Sequence, residues 1–115
     1  MKNILVFMPQ WVGDTVMSVP SLILLKKSLG NETKITLLVQ NHLIPVIDHL
    51  PYFHKVIGYK KKEMKSLGGL LSLSRNIKKE NFEAVILFSN SFRSALFCYL
   101  SGIPLRFGYK SDFRN

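Results

Sequence analysis

Five short runs rich in apolar residues, separated by longer helical patterns, most constrain how this chain can fold. The runs cover residues 4–8, 35–39, 55–58, 84–88 and 105–108. Apolar runs that are continuous rather than alternating are typical of strands buried on both faces of a parallel sheet. Strands that alternate with helices imply parallel pairing through crossover connections. The sequence therefore predicts an α/β fold in which helices flank a parallel sheet.

Helices are predicted between the strands, over residues 15–29, 42–50, 66–79 and 92–101. Two of these helices finish with residues that are typical of helix ends. The first is followed by Gly30 after two lysines, and the last is followed by Gly102 and then Pro104. The start of the first helix stays open. A helix that begins at Asp14 places Pro20 beyond the first turn, where proline kinks a helix, whereas a start near Ser18 avoids this.

The composition limits the class of protein. The chain has 115 residues, which is room for one domain, and 47% of them are hydrophobic, which excludes intrinsic disorder. Its single cysteine, Cys98, lies among apolar neighbours, so we expect a packed and inert thiol and no disulfide framework. The sequence stops directly after the fifth predicted strand, and we expect residues 1–115 to form one incomplete domain.

The segment from Ile4 to Leu25 carries one charge, at Asp14, and invites comparison with a signal peptide or a membrane span. Pro9, Gly13 and Pro20 interrupt it, and no small-residue cleavage site follows. No uninterrupted apolar run approaches the roughly 18 residues of a spanning helix. We therefore expect a soluble, cytoplasmic protein.

The junction after the first strand contains the first candidate site. In open α/β sheets, ligands bind beyond the carboxyl ends of the strands. Gly13 allows close backbone approach there, and the Asp14 carboxylate could accept a proton from a sugar hydroxyl or could cap the helix. Trp11 could stack on a sugar or fill the core. No G-x-G-x-x-G or Walker A motif is present, so nicotinamide and P-loop sites lack support.

The junction after the fourth strand contains the second candidate site. Small polar residues at a helix start expose N–H groups that suit an anion, and Arg93 could bind a carboxylate or phosphate in a bidentate manner. Ordinary helix capping beside a solvated arginine explains the same pattern. The candidate binding residues here are Asn90, Ser91, Arg93 and Ser94.

The chain is strongly basic, with a net charge of +9. The run Lys60–Lys65 holds four lysines and is typical of a solvated loop, although it also suits an anionic lipid surface. No recognition-helix or aromatic–basic motif supports nucleic-acid binding. His42, His49 and His54 lack the i, i+4 spacing of metal ligands, so we predict neither a metal site nor a cofactor.

Two blocks of residues resemble the lipopolysaccharide heptosyltransferases of glycosyltransferase family 9. The first block resembles their amino terminus and comprises Ile4-Leu5-Val6, Trp11-Val12-Gly13-Asp14, Met17-Ser18 and Pro20-Ser21-Leu22. The second comprises Asn90-Ser91-Phe92-Arg93-Ser94-Ala95-Leu96 and Ser101-Gly102-Ile103-Pro104, with Arg106 and Gly108. The blocks stand in the family's order, and the resemblance spans essentially the whole chain.

The resemblance implies a GT-B architecture, in which two Rossmann-like domains face a cleft. It implies transfer of heptose from ADP-heptose to the inner core of lipopolysaccharide, with the acceptor held mainly by the amino-terminal domain. The family's catalytic aspartate matches Asp14, and its second motif matches Asn90, Ser91, Arg93 and Ser94. The basic surface fits an anionic acceptor at the inner membrane. Compared with that architecture, we expect the 115 residues to lack the carboxyl-terminal nucleotide-sugar domain and therefore to have no activity alone.

Two other classes of function remain open. One is a non-catalytic basic binding module, or the remnant of a truncated gene, that binds an anionic glycolipid or another anionic partner. The other is a flavodoxin-like or response-regulator-like domain, and the lack of an acidic cluster at the end of the first strand disfavours the latter.

Overall fold

Five parallel strands form a single sheet in the computed structural model, which describes residues 3–9, 12–30, 32–48, 53–88 and 92–108. The strands are β1 (Asn3–Phe7), β2 (Lys34–Gln40), β3 (Lys55–Tyr59), β4 (Ala84–Leu87) and β5 (Leu105–Gly108). Each lies within one residue of its predicted run at both ends, so the predicted parallel α/β fold is confirmed. The central strands β1 and β2 are buried as expected, whereas Leu105 and Phe107 of the edge strand β5 are exposed, because an edge strand has a neighbour on one side only.

The strand order is β3-β2-β1-β4-β5, which places β1 in the centre of the sheet. Phe7, the last residue of β1, is in register with Leu38 of β2 and with Leu87 of β4. The chain therefore moves outward from β1 to β3 on one side and returns to β4 on the other. This order is that of a Rossmann-like sheet.

Within the described ranges, five α-helices cover the two faces of the sheet. They are α1 (Val12–Leu29), α2 (Ile44–Ile47), α3 (Lys61–Lys65), α4 (Leu67–Lys78) and α5 (Phe92–Leu100), with a 3₁₀ turn at Asn41–Leu43 before α2. Of the predicted helix over 42–50, the described part is a 3₁₀ turn followed by a single α-helical turn, and residues 49 and 50 lie outside the described residues. One face packs against α1 and α2 through residues such as Leu22 and Ile47. The other packs against α3, α4 and α5 through residues such as Leu73 and Phe97.

Helix α1 begins at Val12, earlier than either predicted start, and it contains Pro20 in its interior. Asp14 therefore lies in the first turn and is not the N-cap. Proline lacks an N–H, so Pro20 cannot bond the carbonyl of Val16. Both residues are on the exposed side of the helix, where water can bond that carbonyl. The helix tolerates its proline for this reason.

Lys61–Lys65 of the basic run form a helix, α3, instead of the expected loop, and Lys60 precedes the helix as its N-cap. The Glu63 carboxylate accepts a hydrogen bond from the Lys60 backbone N–H at 2.8 Å, which satisfies one of the free donors at the helix start. Met64 is buried in the core and anchors the helix to the sheet. One acidic and one apolar residue thus order a run of lysines.

The predicted helix ends are confirmed at two glycines. Gly30 and Gly102 adopt φ angles of +81° and +68°, in the left-handed region that favours glycine. The Gly30 N–H donates to the Lys26 carbonyl at 3.1 Å and so closes α1. Among the residues that the structure describes, no helix combines the length and the apolar character needed to cross a membrane.

Candidate functional site

The two candidate segments leave the sheet side by side at the carboxyl ends of β1 and β4. These strands are neighbours, and the Phe88 N–H donates to the Phe7 carbonyl at 2.9 Å immediately beyond the last paired residues. On the other side of β1, the Met8 N–H donates to the Leu38 carbonyl at 2.9 Å. The chain entering α1 and the chain entering α5 therefore start from adjacent positions on one edge of the sheet.

The helices that follow these two strands lie on opposite faces of the sheet. Leu22 of α1 belongs to the core on one face, and Phe97 of α5 belongs to the core on the other. Two adjacent strands whose helices diverge in this way leave a crevice between the helix starts. In open α/β sheets, that crevice is where ligands bind.

Asp14 and Gly13 lie in the first turn of α1, at this edge of the sheet. Gly13 is exposed, Asp14 is half-buried, and a Cβ added to Gly13 would meet no atom within 4 Å. The buried hydroxyl of Thr15 donates to the Pro9 carbonyl at 3.4 Å, and the Ser18 hydroxyl donates to the Thr15 carbonyl at 2.7 Å. The Thr15 bond thereby fixes the first turn of α1 to the end of β1, next to the half-buried Asp14.

The other candidate residues are only partly described. Trp11, Asn90 and Ser91 lie outside the described residues. Arg93 and Ser94 belong to the first turn of α5, and their side chains also lie outside the description. That these residues line one cleft with Asp14 stays a prediction. The described backbone fixes where the two segments begin, which is at adjacent strands.

A buried polar pair at the same edge was not singled out by the sequence. Gln40 and Tyr59 are register partners at the ends of β2 and β3, and both are buried. Burial raises the pKa of the Tyr59 phenol to about 12, and the nearby Gln40 side chain opposes this rise. The described residues offer the phenol oxygen no hydrogen bond within 3.5 Å. The sequence offered one signal for this pair, which is that the polar residue Gln40 directly follows the apolar run Ile35–Val39.

The remaining titratable groups of interest do not form a reactive centre among the described residues. Cys98 is fully buried, and desolvation raises the pKa of its thiol to about 12 against the opposing charge of Arg106, which fits the expected inert thiol. In the described part of the chain, no three His, Cys, Asp or Glu side chains are grouped so that they could hold a metal ion.

The sequence matches a known family and known proteins. Residues 70–115 match the family described as glycosyltransferase family 9 (heptosyltransferase). Over 97% of its length the chain is 28% identical to lipopolysaccharide heptosyltransferase 2 of Escherichia coli strain K12. It is 30% identical to lipooligosaccharide heptosyltransferase 2 of Haemophilus influenzae, again over 97% of its length. The chain spans 32% of each of these relatives, which is about a third of their length.

Solved structures share the fold. The structure of E. coli ADP-heptose lps heptosyltransferase II superposes with a TM-score of 0.78 at 28% identity, covering 99% of this chain and 32% of that one. A glycosyltransferase of family 9 from Veillonella parvula superposes with a TM-score of 0.83 at 22% identity, covering 94% of this chain and 32% of the other, and supports the fold alone. In sequence and in fold, the chain is therefore similar to the family 9 heptosyltransferases over about a third of their length.

Proposed function

We propose that this chain is the acceptor-side domain of a glycosyltransferase that transfers heptose from ADP-heptose to the inner core of lipopolysaccharide. The observation that carries the proposal is the position of Asp14. It lies in the first turn of α1, at the edge of the sheet where the helices that follow β1 and β4 diverge, within a chain similar to heptosyltransferase 2 along nearly its whole length. The donor sugar and the acceptor are taken from the names of these relatives and from the resemblance of the two motifs.

In the proposed mechanism, Asp14 is the general base. Its carboxylate accepts the proton of an acceptor hydroxyl while that oxygen bonds to the anomeric carbon of the heptose. The bond between the anomeric carbon and the phosphate oxygen breaks, and ADP leaves with the bonding electrons. Such a base typically accelerates a reaction by about 10²–10⁴-fold. Gly13, exposed beside Asp14, leaves room for the acceptor to approach the backbone.

The second motif is proposed to bind the acceptor. Asn90, Ser91, Arg93 and Ser94 precede or begin α5, whose amino terminus points to the same edge of the sheet as that of α1. Helix amino termini attract anionic groups, and an arginine binds carboxylates and phosphates through two parallel hydrogen bonds. Trp11 is proposed to contact the sugar. We place the protein in the cytoplasm, at the inner face of the membrane that carries the acceptor.

The proposal is tested in a chimera in which these 115 residues replace the matched third of E. coli heptosyltransferase 2. We expect the chimera to transfer heptose from ADP-heptose. We expect Asp14→Asn to lower kcat by about 10²–10⁴-fold with a much smaller effect on acceptor binding, because the base acts in the transition state. If Asp14 only stabilises the start of α1, the same change costs about 1 kcal/mol or less of stability and leaves kcat nearly intact.

The matched control is Glu32→Gln. Glu32 is exposed in the turn before β2, at the opposite edge of the sheet, so its loss changes the charge equally without touching the site.

A folded chimera that transfers no heptose would instead favour the non-catalytic anionic-binding module. We expect the 115 residues alone to transfer no heptose. As an acceptor-side domain they would not fix the donor and the acceptor in one geometry, and such fixing is worth about 7–11 kcal/mol of the reaction barrier. Heptose transfer by the isolated chain would contradict that expectation.

A further inference from the structure

Three buried aromatic rings form a layer beneath the edge of the sheet that carries Asp14. Phe7 and Tyr59 are the last residues of β1 and β3, and Phe97 lies in α5. The centre of the Phe7 ring is 5.8 Å from that of Tyr59 and 5.5 Å from that of Phe97, with interplanar angles of 60° and 81°. All three side chains are fully buried. Edge-to-face contacts of this kind fix the orientation of the rings as well as their separation.

These rings connect the two candidate segments of the site. Phe7 ends the strand that leads to Asp14, and its carbonyl accepts the Phe88 N–H at 2.9 Å. Phe97 belongs to α5, which begins at Phe92 and contains two residues of the second motif in its first turn. Because the side chains of a helix lean toward its amino terminus, the Phe97 ring lies on the side of the site. The contact between Phe7 and Phe97 is therefore a direct link between β1 and the helix of the second motif.

The Phe97 ring sets how α5 lies on the sheet. Among the side chains of α5 that the structure describes, only Phe97 and Cys98 are fully buried, and the cysteine is much the smaller. Tyr59 is the second ring in contact with Phe7, and its phenol oxygen has no hydrogen bond within 3.5 Å among the described residues, so Tyr59 acts here through its ring. A smaller side chain in place of Phe97 would let α5 shift, because the side chains of a core fill its space almost completely.

We propose that Phe97, packed on Phe7 in the layer that includes Tyr59, is a positioning residue that sets the place of the second motif relative to Asp14. The inference rests on the proposed function, in which Asp14 takes the proton of the acceptor hydroxyl and the second motif holds the acceptor. A general base acts only at hydrogen-bond distance, and a displacement of about 1 Å can cost about 10²-fold in rate. A looser α5 would hold the acceptor hydroxyl away from the carboxylate, although no group that touches the acceptor has changed.

The first test needs no glycosyl transfer and measures amide hydrogen exchange in the 115-residue chain. Phe97→Leu is compared with Phe82→Leu, which makes the same change in the same core at the opposite edge of the sheet, just before β4. We expect Phe97→Leu to speed exchange at residues 96–100 roughly two- to twelvefold more than exchange in β2, which is the range for loss of one aromatic pair. In Phe82→Leu, exchange in α5 and in β2 should speed up equally.

The second test measures kinetics in the chimera that contains these 115 residues. We expect Phe97→Leu to lower kcat/KM for the acceptor by about 10- to 10²-fold relative to Phe82→Leu. The KM for ADP-heptose should stay the same, because in the proposed function the donor is bound by the E. coli part of the chimera. Tyr59→Phe keeps the ring and should leave kcat/KM for the acceptor unchanged, whereas Tyr59→Leu should lower it. Urea unfolding of each variant separates these effects from a loss of folded protein.

Three results would overturn the proposal. Equal acceleration of exchange in α5 and in β2 of Phe97→Leu would mean that the ring supports only the global fold. Equal kcat/KM for the acceptor in Phe97→Leu and Phe82→Leu would mean that α5 does not position the acceptor. A rise in the KM for ADP-heptose as large as the loss toward the acceptor would indicate general damage to the enzyme. A parent chimera without activity would instead contradict the proposed function, and the exchange comparison would still decide whether Phe97 fixes α5.

Discussion

Replacing Gly69 by alanine tests how α3 is held against α4. A Cβ at this position would lie 2.8 Å from the Cα and carbonyl oxygen of Glu63 and 2.8 Å from the Oγ of Ser66. Two of these three atoms belong to the backbone and cannot rotate away. The third, the Ser66 hydroxyl, accepts the Gly69 N–H at 3.0 Å and caps α4. Gly69→Ala must therefore either separate the two helices or displace the cap.

The neighbouring Gly68 provides the control, because a Cβ there would meet no atom within 4 Å. Both alanines gain up to about 1 kcal/mol of helix propensity, so this gain cancels when the variants are compared. Overpacking costs about 1–3 kcal/mol, and loss of an N-cap costs about 1 kcal/mol. We expect Gly69→Ala to be about 2 kcal/mol less stable than Gly68→Ala. For a chain of this size, that difference corresponds to roughly 8 °C in Tm.

The assay is urea unfolding followed by circular dichroism, with thermal melting as a second measurement. Equal stability of the two variants would refute the argument, since it would mean that α3 and α4 do not approach as closely as the structure shows.

Two further predictions follow from buried groups. The Cys98 thiol should react with a disulfide reagent at pH 8 only as fast as the protein opens, because it is fully buried and its pKa is raised to about 12; rapid labelling of the native protein would contradict this. The Tyr59 phenol has its pKa raised from 10 to about 12 by folding. Its contribution to the free energy of unfolding is therefore complete below pH 10 and is lost as the pH rises toward 12, because the phenol ionises in the unfolded chain first. Across that interval, urea unfolding should show the wild type losing up to about 3 kcal/mol more than Tyr59→Phe; parallel curves would show that the phenol titrates equally in both states.

Much of the local structure could be predicted from the sequence because it depends on neighbouring residues. The apolar run at residues 84–88 predicts the strand β4 without knowledge of its neighbours in the sheet. A run this short is buried on both faces only as a strand in a sheet that is covered on both sides. Leu70, Leu73 and Ile77 repeat at helical spacing, and they form the buried side of α4. Gly30 and Gly102 end their helices because few other residues adopt their backbone angles. The candidate Asp14 was found in the same way, from its place after a strand.

The tertiary structure decided which elements meet. The lysine run is a helix because Met64 enters the core and the Glu63 carboxylate accepts a hydrogen bond from the Lys60 N–H. Helix α1 extends past Pro20 because Pro20 and Val16 lie on its exposed side, where water can bond the Val16 carbonyl. The burial of Tyr59 against Phe7, with ring centres 5.8 Å apart, joins residues 52 positions apart in sequence. Local sequence patterns extend over a few residues, whereas strand order and helix contacts arise from burial between distant segments. The sequence by itself therefore determined the five strands, most of the helices and the first candidate residue. Packing decided that the lysine run is a helix and that β1 and β4 are neighbours whose following helices lie on opposite faces of the sheet.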